Sequence, residues 1–302
     1  MKPFLKEILA DPVTQGPLDL DQDIQKLINR SNRASYEIRE QVPVLLPRRY
    51  ENVPTPSPLH KDTQTTFDYI DHYMRDAEYF DYFREPQGKE DEHEVRRLHE
   101  AIIGELPPDT GRVLDVGCGR GWVAQALCPQ GKEVISMDVS TRNAIETLKR
   151  IPESNHSALV GDVYHIPLQS DSVDAAIASE VMEHTPDPQL FLKQLLRVVR
   201  PGGKVIVTTP YNEKIKYHLC VHCNRPTPGH AHLHSFNEQN LQHYLPETDL
   251  KWNYRIFSNR YLHKVRSHLF LGLFSFKVWR RIDAFFNKIV PAPSRFLVTI
   301  AR

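Results

Sequence analysis

No run of about 20 uncharged apolar residues occurs in the 302-residue sequence, so no segment reads as a membrane-spanning helix. Charge of one sign is not in excess either: 38 Lys and Arg balance 38 Asp and Glu. A chain without a basic surplus lacks the global electrostatic footprint of a nucleic-acid binder, which argues against a nucleic-acid substrate. Cysteine is scarce. Cys118, Cys128, Cys220 and Cys223 are too few and too scattered for the disulfide framework of a small secreted domain. The first residues, Met1 to Ile8, carry no apolar core of a secretory leader, so none is expected and the expected location is the cytoplasm.

What is present is organised around Val113-Leu114-Asp115-Val116-Gly117-Cys118-Gly119-Arg120-Gly121-Trp122. A short apolar run ends in an acid, three glycines alternate with larger residues, and a helix-like pattern follows. That is strand, tight turn, helix, with glycines where backbone must approach a ligand or take positive φ. From here on strands alternate with helices, the pattern of a doubly wound α/β sheet. Strands are expected at 112–116, 133–137, 157–160, 173–179 and 204–209, a helix over 187–199, and two late strands near 250–257 and 295–300.

The chain before this loop needs its own account. Residues 1–58 are proline-punctuated, with strand-like Arg33–Arg39 and Val42–Pro47, and read as a small β-rich module followed by the extended linker Val53–Pro58. The order "PVTQGPL … YEIREQVPVLLP" resembles the zinc-ribbon-like family typified by the tRNA-methyltransferase activator subunit, here degenerate and without cysteines. The alternative is a plain β-extension. Residues 59–108 read as two helices rich in aromatics (Phe67, Tyr69, Tyr73, Tyr79, Phe80, Tyr82, Phe83). They either cap an active site or pack on the sheet.

Open α/β sheets bind ligands beyond the C-terminal ends of their strands. Gly119-x-Gly121-x-x-Ala124 alone satisfies a dinucleotide fingerprint, which is weak. Asp115, two residues before Gly117, tilts the choice. A pyrophosphate site disfavours a carboxylate aimed at its loop, whereas a sulfonium ligand with an ammonium group suits one. Glu180, Glu183 and His184 follow the 173–179 strand at i, i+3 and i+4. In a helical turn these share a face, where they could hold a divalent cation or serve as base.

The segments "VLDVGCGRGW", "VISMDVS", "GDVYHIPLQSDSVDAAIASEVMEH" and "LLRVVRPGGKVIVTTP", in this order over residues 110–210, resemble the class I S-adenosylmethionine-dependent methyltransferases of the ubiquinone and menaquinone group. The resemblance implies an α/β fold: a Rossmann-like seven-stranded methyltransferase sheet over 109–302, here with the N-terminal β-rich module and helical cap in front. It implies S-adenosyl-L-methionine as cofactor. Gly117, Gly119 and Gly121 would pass under its methionine part, Asp115 would meet the amino end, and Asp138 the ribose hydroxyls. Asp162 would take the adenine amino group, with Val163 beside the ring. Glu-x-x-Glu-His is similar to the metal-assisted ubiquinone O-methyltransferases, with His184 the expected base.

Two stretches stay unabsorbed. Cys220-x-x-Cys223 followed by His230, His232 and His234, within the insertion 212–236, reads as a zinc site of Cys220, Cys223, His232 and His234, or as histidines lining the acceptor pocket beside reduced thiols. Residues 262–290 interleave apolar and basic residues. They suit peripheral membrane contact, or a helix packed on the sheet. The function expected is methyl transfer to a small-molecule or lipid-like acceptor, on oxygen. The alternatives are an RNA or protein methyltransferase with a built-in activator, and a non-catalytic cofactor-binding protein.

Overall fold

A computed structural model describes residues 1–21, 23, 25–47, 68–86, 88–222, 224–246 and 250–302. The linker Val53–Pro58, Phe67 and Cys223 lie outside the described residues. After one helical turn, α1 (Pro3–Lys6), four short strands follow: β1 (Asp19–Asp21), β2 (Lys26–Ile28), β3 (Ser35–Arg39) and β4 (Val42–Leu45). Two helices come next, α2 (Tyr69–Tyr79) and α3 (Lys89–Ile103). Asp68 starts α2 by accepting from the Asp71 backbone N–H.

The alternating part then begins. β5 (Arg112–Val116), α4 (Trp122–Leu127), β6 (Glu133–Asp138), α5 (Thr141–Arg150), β7 (His156–Gly161), β8 (Val173–Ser179), α6 (Pro188–Val198) and β9 (Val199–Pro210) follow in turn. Ser140 caps α5, and Asp187 with Pro188 opens α6. An insertion carries the hairpin β10 (Tyr217–Leu219) and β11 (Pro226–Pro228). The chain ends with β12 (Lys251–Asn259), three helices α7 (Arg260–Lys264), α8 (His268–Leu271) and α9 (Phe276–Ile289), and β13 (Pro293–Ala301).

The strand order is β1-β2-β3-β4-β7-β6-β5-β8-β9-β13-β12. The seven strands β7-β6-β5-β8-β9-β13-β12 form the expected Rossmann-like sheet, with β5 to β9 parallel and β13 antiparallel to both neighbours. Central strands are buried on both faces, which is why β7 (HSALVG) is continuous rather than alternating. The segment 262–290 is not one helix. It breaks over residues 265–267 and 272–275, giving α7, α8 and α9.

The N-terminal strands join this same sheet. β4 lies parallel to β7, pairing Val44 with Val160 and Leu45 with Gly161. Leu5, Leu9, Leu27 and Leu45 share one apolar core with Leu114, Ile135 and Leu159. The β4 contact therefore covers what would be an open edge. Removing residues 1–47 should bare that edge and several buried leucines, each contributing about 1.5–3 kcal/mol. Size-exclusion chromatography is expected to show aggregation. A soluble truncated protein with an unchanged urea midpoint would make these strands dispensable.

Candidate active site

The strand-to-helix turn after β5 sits at the C-terminal edge of the parallel strands, as anticipated for a ligand site. Its three glycines do different jobs. Gly121 has φ +76° and opens α4; a Cβ there would meet Thr147 Cγ2 at 2.3 Å, so the glycine serves loop-to-α5 packing rather than ligand approach. Gly117 is closed in by Val181 in the same way, at 2.6 Å, yet lines the cavity. Gly119 is the least crowded: the nearest atom to its Cβ position is Tyr82 Cδ1, in ordinary contact at 3.8 Å. Cys118 is buried, and burial holds its thiol protonated.

Beside the loop lies a cavity of about 630 Å³, within the usual range for small-molecule sites. Gly117, Gly119, Asp138, Asp162, Val163, Glu180 and His184 all line it. Asp138, at the end of β6, accepts from Gly119 N–H at 3.1 Å and Ser140 N–H at 2.9 Å; burial still raises its pKa. Asp162 is engaged by Tyr69 Oη at 2.5 Å and by His165 Nδ1 at 2.7 Å. A carboxylate has about four acceptor positions, so capacity for an amino group remains.

Asp115 is not among the lining residues. It sits just behind them, 1% exposed, and its Oδ2 has no hydrogen-bond partner among the described residues. Burial and the neighbouring Asp138 carboxylate push its pKa up to about 8. A buried acid with an unsatisfied oxygen next to a ligand cavity is a group that a bound cation would draw into its charged form.

α2 roofs the cavity. Tyr69, His72, Tyr73 and Asp76 line it, joined by Phe80 and Tyr82 just beyond. Arg142 of α5 holds the helix end by donating to Ala77 O at 2.7 Å and Glu78 O at 3.0 Å. α2 thus borders the cavity along the face that carries Tyr69, His72, Tyr73 and Asp76. Phe83 instead packs inward under the Arg150 guanidinium, 4.4 Å from its ring centre.

The expected face of Glu180, Glu183 and His184 does not form. Glu180 takes a left-handed conformation (φ +57°) and ion-pairs with Arg295 of β13; only Met182–His184 make a 3-10 turn. The insertion supplies the third member instead. Glu183, His184 and His232 present one ligand atom each, all within 4.8 Å of one another. Glu183 is 1% exposed, its Oε2 has no partner among the described residues, and burial, then Glu180, raises its pKa far above normal.

His184 stays neutral. Burial, then His232, push its pKa down to about 4. Its Nδ1 lies 3.3 Å from Ala231 O, which can only accept, so Nδ1 carries the hydrogen and Nε2 the lone pair.

The zinc set does not assemble among the described residues. His232 Nδ1 bonds Glu213 at 2.5 Å, and His234 Nε2 lies 3.3 Å from Pro186 O. Cys220 does not enter the cluster with His232, and Cys223 is not described. Of the insertion's histidines His230 lines the cavity, beside Ala231 and with Thr227 and Pro228 of β11. Sequence spacing could not show the Arg295 pair or the His232 contact, because their partners lie 115 and 48 to 49 positions away.

Residues 114–207 match the family model described as a methyltransferase domain. A ubiquinone biosynthesis O-methyltransferase of Aliivibrio fischeri is 32% identical over 115 residues, 36% of this chain and 47% of that protein. The first curated relatives are thus matched over less than half their own length. Among solved structures, an S-adenosylmethionine-dependent methyltransferase from Mesorhizobium loti superposes with a TM-score of 0.51 at 16% identity, covering 70% of this chain and all of that one. The [4+2]-cyclase SpnF does so at 0.52 and 18% identity, covering 72% and 85%.

Residues 114–207 therefore carry a methyltransferase domain, within a Rossmann-like α/β fold. No helix among the described residues is long and apolar enough to cross a membrane.

Proposed function

We propose that the protein transfers a methyl group from S-adenosylmethionine to the oxygen of a small-molecule or lipid-like acceptor. The observation that carries this is one cavity bounded on one side by Gly119, Asp138 and Asp162 and on another by the neutral His184. A bound S-adenosylmethionine supplies a methyl group on a sulfonium whose departure leaves a neutral thioether. The protein's part is alignment and proton removal. Nε2 of His184 takes the acceptor hydroxyl's proton, Asp115 balances the ammonium group, and Asp138 and Asp162 orient ribose and adenine. The relative named as a ubiquinone biosynthesis O-methyltransferase favours oxygen and a lipid-like acceptor. Methyltransferase-like folds also host other chemistry, so the reading rests on the site.

A second reading concerns a divalent cation at Glu183, His184 and His232. Both histidines engage Nδ1 with protein groups, leaving Nε2 for a ligand, and Glu213 behind His232 is the kind of support metal-bound histidines have. Such an ion would polarise the acceptor oxygen. We also propose that residues 1–47 act as a built-in partner akin to an activator subunit, with β4 completing the β7 edge.

Calorimetry with S-adenosylmethionine, before and after chelation, followed by incubation with the methyl-labelled cofactor and a lipid extract, tests these together. Binding, and label in the organic phase as a stable ether, is the expected result. No cofactor binding sinks the assignment; label in RNA or protein instead moves it to the alternative substrates. Turnover unaffected by chelation rejects the cation.

A further inference from the structure

The elements between β12 and β13 hold an unusual surface. Residues 260–290 contain seven cations, Arg260, Lys264, Arg266, Lys277, Arg280, Arg281 and Lys288, all exposed. Among the described residues none forms an ion pair. The only acid in the stretch, Asp283, is buried and accepts from the backbone N–H groups of Ser258 and Asn259. In a protein of zero net charge this is a local concentration of positive charge.

Large apolar side chains stand out from the same stretch. Leu273 is 87% exposed, Phe270 73%, Ile289 61% and Phe285 60%. On α9, Trp279 and Asp283 (i, i+4) form the buried stripe. Val278, Phe285 and Ile289 (i, i+7, i+11) form an outward apolar stripe, with Lys277, Arg281 and Lys288 along one side of it.

The turn bearing Phe270 and Leu273 is fixed from beneath. Buried Arg97 of α3 donates to Leu271 O at 2.8 Å and Phe274 O at 2.7 Å, and Arg96 to Gly272 O at 2.8 Å. These bonds satisfy the carbonyls at the end of α8 and hold the hydrophobic residues outward.

Position gives the surface a purpose. β12 runs in the direction of β9, because β13 is antiparallel to both. Its end, and the start of β13, therefore lie at the edge that carries the glycine turn and the cavity. The Arg295–Glu180 ion pair joins that edge to the cavity directly.

We infer that α7–α9 dock the protein on an anionic lipid surface, with the apolar stripe entering the headgroup region and Lys277, Arg281 and Lys288 beside it meeting the phosphates. Basic residues flanking an exposed apolar face, on helices too short to span, match interfacial rather than transmembrane binding. The docking sets the cavity edge toward the bilayer, where a lipid-like acceptor resides. It extends the proposed reaction but is read without it.

The experiment floats the full-length protein with phosphatidylcholine vesicles, with and without phosphatidylglycerol. Two surface variants, Leu273→Ser/Phe285→Ser and Lys277→Glu/Arg281→Glu, are run beside it, with melting temperature and S-adenosylmethionine binding measured separately. The wild type should bind the phosphatidylglycerol vesicles and come off as salt is raised. Each variant should lose at least about tenfold in partitioning, with cofactor binding unchanged. Failure of the wild type to bind anionic vesicles overturns the inference. So does equal binding by the variants, or a wild-type dimer, absent in the variants, that forms without vesicles.

Discussion

Replacing Asp115 by asparagine should make the protein more stable and a poorer ligand binder at once. The carboxyl is buried, its Oδ2 lacks a partner among the described residues, and its pKa stands at about 8. A folded value above the unfolded one means that the acid's stability contribution is present below about pH 4 and lost as pH rises through 8. At neutral pH the empty site therefore holds an awkward group that must lose its proton to receive a cation. The Asp115→Asn protein should gain about 1–2 kcal/mol, several degrees in melting temperature for a chain of this size. Its affinity for S-adenosylmethionine should fall about ten- to a hundredfold, as a hydrogen bond to a charged group is lost. Wild-type binding near pH 7 should release a proton, visible as a dependence of the calorimetric heat on buffer ionisation enthalpy. Unchanged affinity, or a lower melting temperature, would refute this role.

His184→Ala should lower kcat about a hundred- to ten-thousandfold while cofactor binding survives. The histidine is neutral at every pH above about 4, since burial and His232 hold its pKa there. The acid limb of kcat/KM should therefore fall near pH 4 rather than near 6.5. Its stability effect has the same window: the contribution is present above about pH 6.5 and is lost as pH falls through 4. His184→Gln should not restore turnover, because an amide cannot take the proton. A fully active His184→Ala enzyme, or an acid limb that does not move with this residue, would reject His184 as base. Glu183, held protonated by burial and Glu180, would be the next residue to test.

Much of this was legible in the sequence because it is local. The apolar runs that become β5 to β9 are bounded by Gly, Asp and Pro, and burial on both faces leaves them continuous. The acids after β6 and β7 follow from strand ends. What pattern reading could not reach is long-range. Glu180 looked like a member of a helical face, but Arg295, brought alongside when β13 pairs with β9, draws its carboxylate away. His232 looked like part of a Cys/His quartet, yet the insertion folds back so that Leu233 N–H bonds Glu183 O at 2.7 Å. That sets His232 against His184, with ring centres 4.8 Å apart. The pairing of β4 with β7 spans more than a hundred residues and left no periodic trace.

The placement of β13 also makes one edge of the sheet depend on a single strand. Among the described strands β12 has β13 as its one ladder partner, and β13 lies between β12 and β9. β12 thus reaches the rest of the sheet through β13. A chain whose β13 leaves the sheet is accordingly expected to bare an unpaired β12 edge beside the stretch richest in outward-facing Leu and Phe, a place from which association between chains can start.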